Sequence, residues 1–213
     1  MSVNSCGNFF LLIRVTIILC FYYLAGFGPF GLHQVNTSWE AVKELPNTDL
    51  AEEVNLVIKE IPVEYCAVDE QVPQLWNEVK PKLCVHVGVH GLADSIQLEM
   101  CGHNYGYNRP DETGKKCEKG CCVDGGEECL FTSLDLDRLC SEVMTAKSPC
   151  LVGTSDDAGR FLCDYSYYKS LHLGHGRGTV AFVHVPRADS PYSLEDLVIS
   201  LRLIIFAMLK QIS

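Results

Sequence analysis

Basic charge is scarce in this 213-residue chain. Seventeen lysines and arginines stand against 27 aspartates and glutamates, a net charge of −10. No Lys/Arg cluster offers a phosphate-neutralising footprint, which argues against nucleic acid as a partner. Paired Cys-x-x-Cys spacing is missing as well, although the chain has twelve cysteines. Cys117, Cys121, Cys122 and Cys129 cluster, but adjacent cysteines are awkward ligands for one tetrahedral ion. Their surroundings, residues 107–133, are polar and glycine-rich and read as a long surface loop. No metal and no cofactor is expected. Cys66, Cys84 and Cys140 fall in apolar periodic segments, where a thiol behaves as a small hydrophobe. A chain of this length can bury a core without disulfides. Reduced thiols and a cytosolic location are therefore expected.

A positively charged leader is also absent. Phe9 to Ala25 is nearly all apolar, interrupted by Arg14 and Thr16, with no basic residue before Arg14. A signal peptide would need that charge and a small-x-small cleavage site. A membrane span would be short and would carry an arginine near its middle, a costly placement. The β-branched and aromatic content of Ile17–Ala25 suits a buried central strand. Residues 1–16 then form an atypical apolar extension ahead of one domain over 17–213. Membrane or secretory targeting, the minority reading, would make Asn36-Thr37-Ser38 a glycosylation acceptor.

What is present is a regular alternation. Asn36 precedes helical spacing of Trp39, Val42 and Leu45. Asn55–Ile61 alternates as a strand, and Tyr65–Val79 reads as a helix interrupted by Pro73. Leu83–Val89 is a continuous apolar strand, and Ser95–Met100 alternates with Glu99 on its polar face. Leu134–Thr145 reads as a helix, Pro149–Val152 as a short strand, and Val180–Pro186 as an apolar strand. Leu194–Ile212 is an amphipathic helix with nothing resembling a cofactor box. Strands alternating with helices predict an α/β fold: one domain, a mainly parallel twisted sheet, helices on both faces.

The chemistry concentrates in residues 153–186. Cys163 follows a polar, glycine-bearing turn and opens a helical run, where backbone N–H groups and the dipole favour a thiolate. His184 lies near the end of a strand, where open sheets present side chains to a site. Cysteine and distant histidine brought together by a fold is what thiol nucleophilic catalysis requires. Gly26-Phe27-Gly28-Pro29-Phe30-Gly31 marks a tight loop. Its two rings either tuck into the core or offer aromatic faces to a small ligand. By spacing alone Glu99 is a solvated carboxylate.

Several motifs, taken in order, carry a resemblance. They are the loop Gly26–Gly31, Ile61-Pro62-Val63-Glu64-Tyr65, and His86-Val87-Gly88-Val89-His90-Gly91. Leu98-Glu99-Met100-Cys101-Gly102-His103-Asn104, Ser155 to Cys163 and Phe182-Val183-His184-Val185-Pro186 complete the set. From about Gly26 to the C-terminal helix the chain resembles the pyroglutamyl-peptidase I family of cysteine peptidases, in its vertebrate form. The resemblance implies removal of N-terminal pyroglutamate from peptides by a Cys–His–Glu triad. It puts the nucleophile on Cys163, the base on His184 and the orienting carboxylate on Glu99. It also assigns Phe27 and Phe30 to the enclosure of the lactam ring. The long apolar run to Ala25 departs from the short first strand of that family. A non-catalytic or membrane-tethered member, impaired by this N-terminus, is the alternative expectation.

Overall fold

The computed structural model describes residues 21–28, 36–188 and 191–212. Strand β1 (Phe21–Phe27) is followed by helix α1 (Thr37–Glu44), the single-turn helix α2 (Leu50–Glu53) and strand β2 (Asn55–Ile61). Helix α3 (Tyr65–Glu78) and strands β3 (Leu83–Val89), β4 (Ile96–Glu99), β5 (Cys101–His103) and β6 (Cys129–Phe131) come next. Helix α4 (Leu136–Thr145), β7 (Val152–Ser155), α5 (Leu162–Gly174), β8 (Thr179–Val185) and α6 (Leu194–Ile212) complete the chain.

Side chains alternate across a strand, so each strand buried on both sides feeds two cores. Leu24, Val85, Val87, Ala181, Val183 and Leu98 project into one core, against α1, α4 and α6. Tyr23, Ala25, Phe27, Cys84, Val180 and Phe182 project into the other, against α3 and α5. The six-stranded sheet has the order β2-β1-β3-β8-β4-β7. β2, β1, β3 and β8 run parallel, β4 is antiparallel to β8, and β7 is parallel to β4. The predicted α/β architecture, mainly parallel with helices on both faces, is what forms.

The chain leaves β1 through α1 and α2 to β2 on one side, then crosses through α3 to β3 on the other side of β1. This reversal of strand order opens a crevice at the carboxyl ends of β1 and β3, the usual place for a site in such sheets.

Several local expectations need correction. The first strand ends at Phe27, so Phe27 is a strand residue and not part of a loop. Residues 17–20 and Phe30 lie outside the described residues. Pro73 does not interrupt α3. It removes one backbone donor, a cost of about 3 kcal/mol, but Val68, Val72, Leu75 and Trp76 hold the helix against the sheet. The short strand near 150 is Val152–Ser155, not Pro149–Val152. It is an edge strand held by backbone pairing with β4, so it carries no hydrophobic pattern to read. Glu99, finally, is 2% exposed.

The stretch 107–133 is more than a surface loop. Tyr107 and Cys122 are buried, and Asp111 accepts from the Tyr65 amide at 3.0 Å, at the start of α3. Cys129–Phe131 returns to pair with β5.

At the C-terminal end of β1 the backbones of β1 and α1 approach closely. A Cβ on Gly26 would lie 2.6 Å from Trp39 Cα and 2.9 Å from its amide nitrogen. Gly26→Ala is therefore expected to destabilise the fold by about 1–3 kcal/mol, since backbone must shift. Urea unfolding measures this, and an unchanged midpoint would contradict the packing of α1 on β1.

Candidate active site

Register assembles one row of residues across the carboxyl ends of the strands. Gly88 pairs with His184 across β3 and β8, and His184 pairs with Gln97 across β8 and β4. One step beyond Gly26↔Val87, Phe27 comes level with Gly88. Residues opposite one another share a face. Phe27, Gly88, His184 and Gln97 therefore all face α3 and α5. Glu99 is two residues beyond Gln97, on the same face, and reaches His184 diagonally. Its Oε1 lies 2.6 Å from His184 Nδ1.

The third residue arrives from α5. Cys163 is the second residue of that helix and is half-buried. A Cβ on Gly88 would stand 2.9 Å from Cys163 Sγ and 2.8 Å from the Phe182 ring. Gly88 is thus the gap in the row into which the cysteine fits. The Phe182 ring packs 4.8 Å from the His184 ring and 6.4 Å from Phe27, joining the two ends of the site. Phe27 is buried there, while Phe30 lies outside the described residues.

Electrostatics follow from this packing. Burial disfavours the charged form of His184, yet the Cys163 sulfur and then the Glu99 carboxylate outweigh it and hold the pKa up at about 9. His86, one pleat before Gly88, shows the opposite case: burial alone lowers it to about 4. Its Nε2 meets Ser170 Oγ at 2.7 Å, and its ring stacks on Phe182. Tyr167 donates to the Glu99 carbonyl at 2.9 Å, fixing β4 against α5. Glu99 Oε2 is buried without a hydrogen-bond partner among the described residues.

Helix α5 begins at an N-cap, Phe161, that makes no side-chain capping bond. Amides of a first turn have no partner within their own helix. Those of Leu162 and Cys163 start the helix at the position of the Cys163 thiol. The polar turn before it is organised by Arg160, whose guanidinium bonds Asp157 at 2.6 Å.

Comparison with known proteins decides the family. The sequence pattern described as pyroglutamyl peptidase matches residues 22–198. The chain belongs to the pyroglutamyl peptidase family. Membership makes it a cysteine-type peptidase, a hydrolase. The human protein named pyroglutamyl-peptidase 1 is 47% identical over 186 residues, covering 87% of this chain and 88% of that one. The crystal structure of pyroglutamyl peptidase I from Bacillus amyloliquefaciens superposes with a TM-score of 0.77 at 26% identity, over 87% of this chain and 94% of that one. A variant of the Pyrococcus furiosus pyrrolidone carboxyl peptidase shares the fold, with a TM-score of 0.82 at 24% identity over 90% of this chain and 99% of its own.

Of the residues singled out by sequence, Glu99, His184, Cys163 and Phe27 come together in this member of the family. Gly88, Phe182 and His86 were missed as parts of the site. Their signal was present in the alternation of β3 and β8, once the strand order is known. Gly88→Ala is expected to keep the sheet but displace Cys163, lowering kcat by about 10²-fold for a shift of an ångström. Steady-state kinetics beside a thermal melt test this, and an unaffected kcat would contradict the gap.

Proposed function

We propose that the chain removes an N-terminal pyroglutamyl residue from peptides through a covalent thioacyl-enzyme. The supporting observation is the contact of Glu99 with His184 at 2.6 Å, with the Cys163 sulfur beside the same imidazole. The relatives carry names of that activity.

In this reading the Cys163 thiolate attacks the pyroglutamyl carbonyl carbon, forming a C–S bond and placing charge on oxygen. The uncapped first-turn amides at Leu162 and Cys163 are the donors for that oxyanion. His184, protonated beside the thiolate, gives its proton to the leaving amine as the C–N bond breaks. It then takes a proton from water, which attacks the thioester and releases pyroglutamate with the thiolate restored. Glu99 holds the imidazole by Nδ1, so Nε2 faces the chemistry.

Specificity follows from what the substrate lacks. A cyclised N-terminus has no ammonium, so a carboxylate or metal that grips an amine has no partner. An apolar slot with a few hydrogen bonds suits a small neutral lactam. Phe27 at the end of β1 supplies one wall, and Phe30 is assigned the other on the family resemblance. The natural substrates are read as peptides bearing N-terminal pyroglutamate. The working domain is read as 17–213, with residues 1–16 as an extension.

The location is read as cytosolic, where ten free cysteines among the described residues stay reduced. Among those residues no helix is long and apolar enough to cross a membrane. The non-catalytic alternative gains no support from the arrangement of Glu99, His184 and Cys163.

A fluorogenic pyroglutamyl amide tests the proposal. Wild type is expected to cleave it, to refuse the open-chain glutaminyl amide, and to lose activity with Cys163→Ala or iodoacetamide. Glu99→Gln is expected to cost about 10²-fold or more in kcat. Phe27→Ala should act mainly on KM. Retained turnover in Cys163→Ala would refute the mechanism.

A further inference from the structure

The β5–β6 hairpin gathers a second cluster that the peptidase chemistry does not use. His103 pairs with Cys129 across the two strands, and Cys101 is two residues earlier on the same face. Cys101 Sγ, a His103 ring nitrogen and Cys129 Sγ all lie within 4.8 Å of one another, with Cys101 Sγ to His103 Nε2 at 4.0 Å. Two thiolates and an imidazole on a tetrahedral ion, with bonds of about 2.3 Å and 2.0 Å, stand roughly 3.5–4 Å apart. The cluster needs only a small contraction to reach that geometry.

The support behind the histidine is also in place. Asp164 Oδ1 accepts from the His103 amide at 3.1 Å and faces His103 Nδ1 at 3.4 Å. A proton held on Nδ1 by a carboxylate leaves the Nε2 lone pair free, and Nε2 is the nitrogen that stands 4.0 Å from Cys101 Sγ. Asp164 is itself buried and fixed through Tyr107, whose hydroxyl donates to Oδ2 at 3.0 Å. Sulfur and imidazole donors without carboxylate in the ligand set select a soft cation over calcium or magnesium. Cys101 is buried, while His103 and Cys129 are half-buried, which leaves solvent access for a further ligand.

We propose that Cys101, His103 and Cys129 form a binding site for a thiophilic divalent cation of the zinc type, with a fourth position filled from solvent. The site is separate from the Cys163 centre but adjoins it twice. Cys101 follows Glu99 by two residues, and Asp164 follows Cys163 directly.

The test uses the reduced full-length chain carrying Cys163→Ala, which removes the competing thiol of the active centre. Cadmium is titrated while thiolate-to-metal charge-transfer absorbance is followed, with zinc as competitor. Saturation at about one ion per chain is expected for a single site with three protein ligands. Cys101→Ser or Cys129→Ser should weaken binding by well over about tenfold, and Asp164→Asn by about 10–100-fold. Cys117→Ser with Cys121→Ser should leave it unchanged. In parallel, zinc should raise the Tm of the Cys163→Ala chain and not that of its Cys129→Ser derivative, because only the folded site binds. Absence of the band in Cys163→Ala overturns the proposal. So does a band or a zinc-dependent Tm rise that survives both hairpin serines, or one lost with the loop serines. Isolation of a Cys101–Cys129 disulfide from reduced protein that binds no metal overturns it too.

Discussion

One hydrogen bond at the seam of the sheet governs the rest. β4 runs against β8, and this single antiparallel junction puts Glu99 diagonally across from His184. Both side chains are nearly inaccessible, at 2% and 4% exposure. Burying a carboxylate and an imidazole is costly unless each meets the other with good geometry, and removing one partner strands the other at about 3–5 kcal/mol. The Cys163 sulfur and, after it, this pairing give the imidazole a pH signature. His184 holds its proton more tightly folded than unfolded, with a pKa of about 9 against an ordinary 6.5. Its contribution to stability is therefore complete below the unfolded value and fades as pH rises through about 9.

Around that bond the parallel strands supply placement. The switch in strand order between β1 and β3 opens the crevice, and Gly88 leaves the space that Cys163 Sγ fills. Glycine inside a strand weakens it, and here the lost packing is returned by a residue from α5. Helix α5 contributes Cys163 at its second position and buries Tyr165, Tyr167 and Tyr168 behind it. The hairpin β5–β6 is tied to the same helix through Asp164 and His103.

Much of this was legible in the sequence, for stated reasons. Strands buried on both faces, such as Leu83–Val89, and the helix Leu194–Ile212 were found to the residue because their apolar patterns are unbroken. Cys163 and His184 were visible as residue types at a helix start and a strand end. Glu99 was not: a carboxylate in a polar–apolar alternation looks solvated, and only its family motif singled it out. The edge strand Val152–Ser155 was misplaced because backbone pairing leaves no side-chain pattern. The Cys129 pairing with His103 was likewise out of reach, since 25 intervening residues separate the two strands that bring them together.

The central claim is that the Cys163 sulfur and, after it, the buried Glu99 carboxylate keep His184 protonated. Titration of the His184 ring by nitrogen-detected NMR in wild type and Glu99→Gln tests it directly. The account predicts a ring that stays charged through neutral pH and loses its proton near 9 in wild type, with a clearly lower midpoint in the variant. A wild-type midpoint at or below 6.5, or one unmoved by Glu99→Gln, would contradict it.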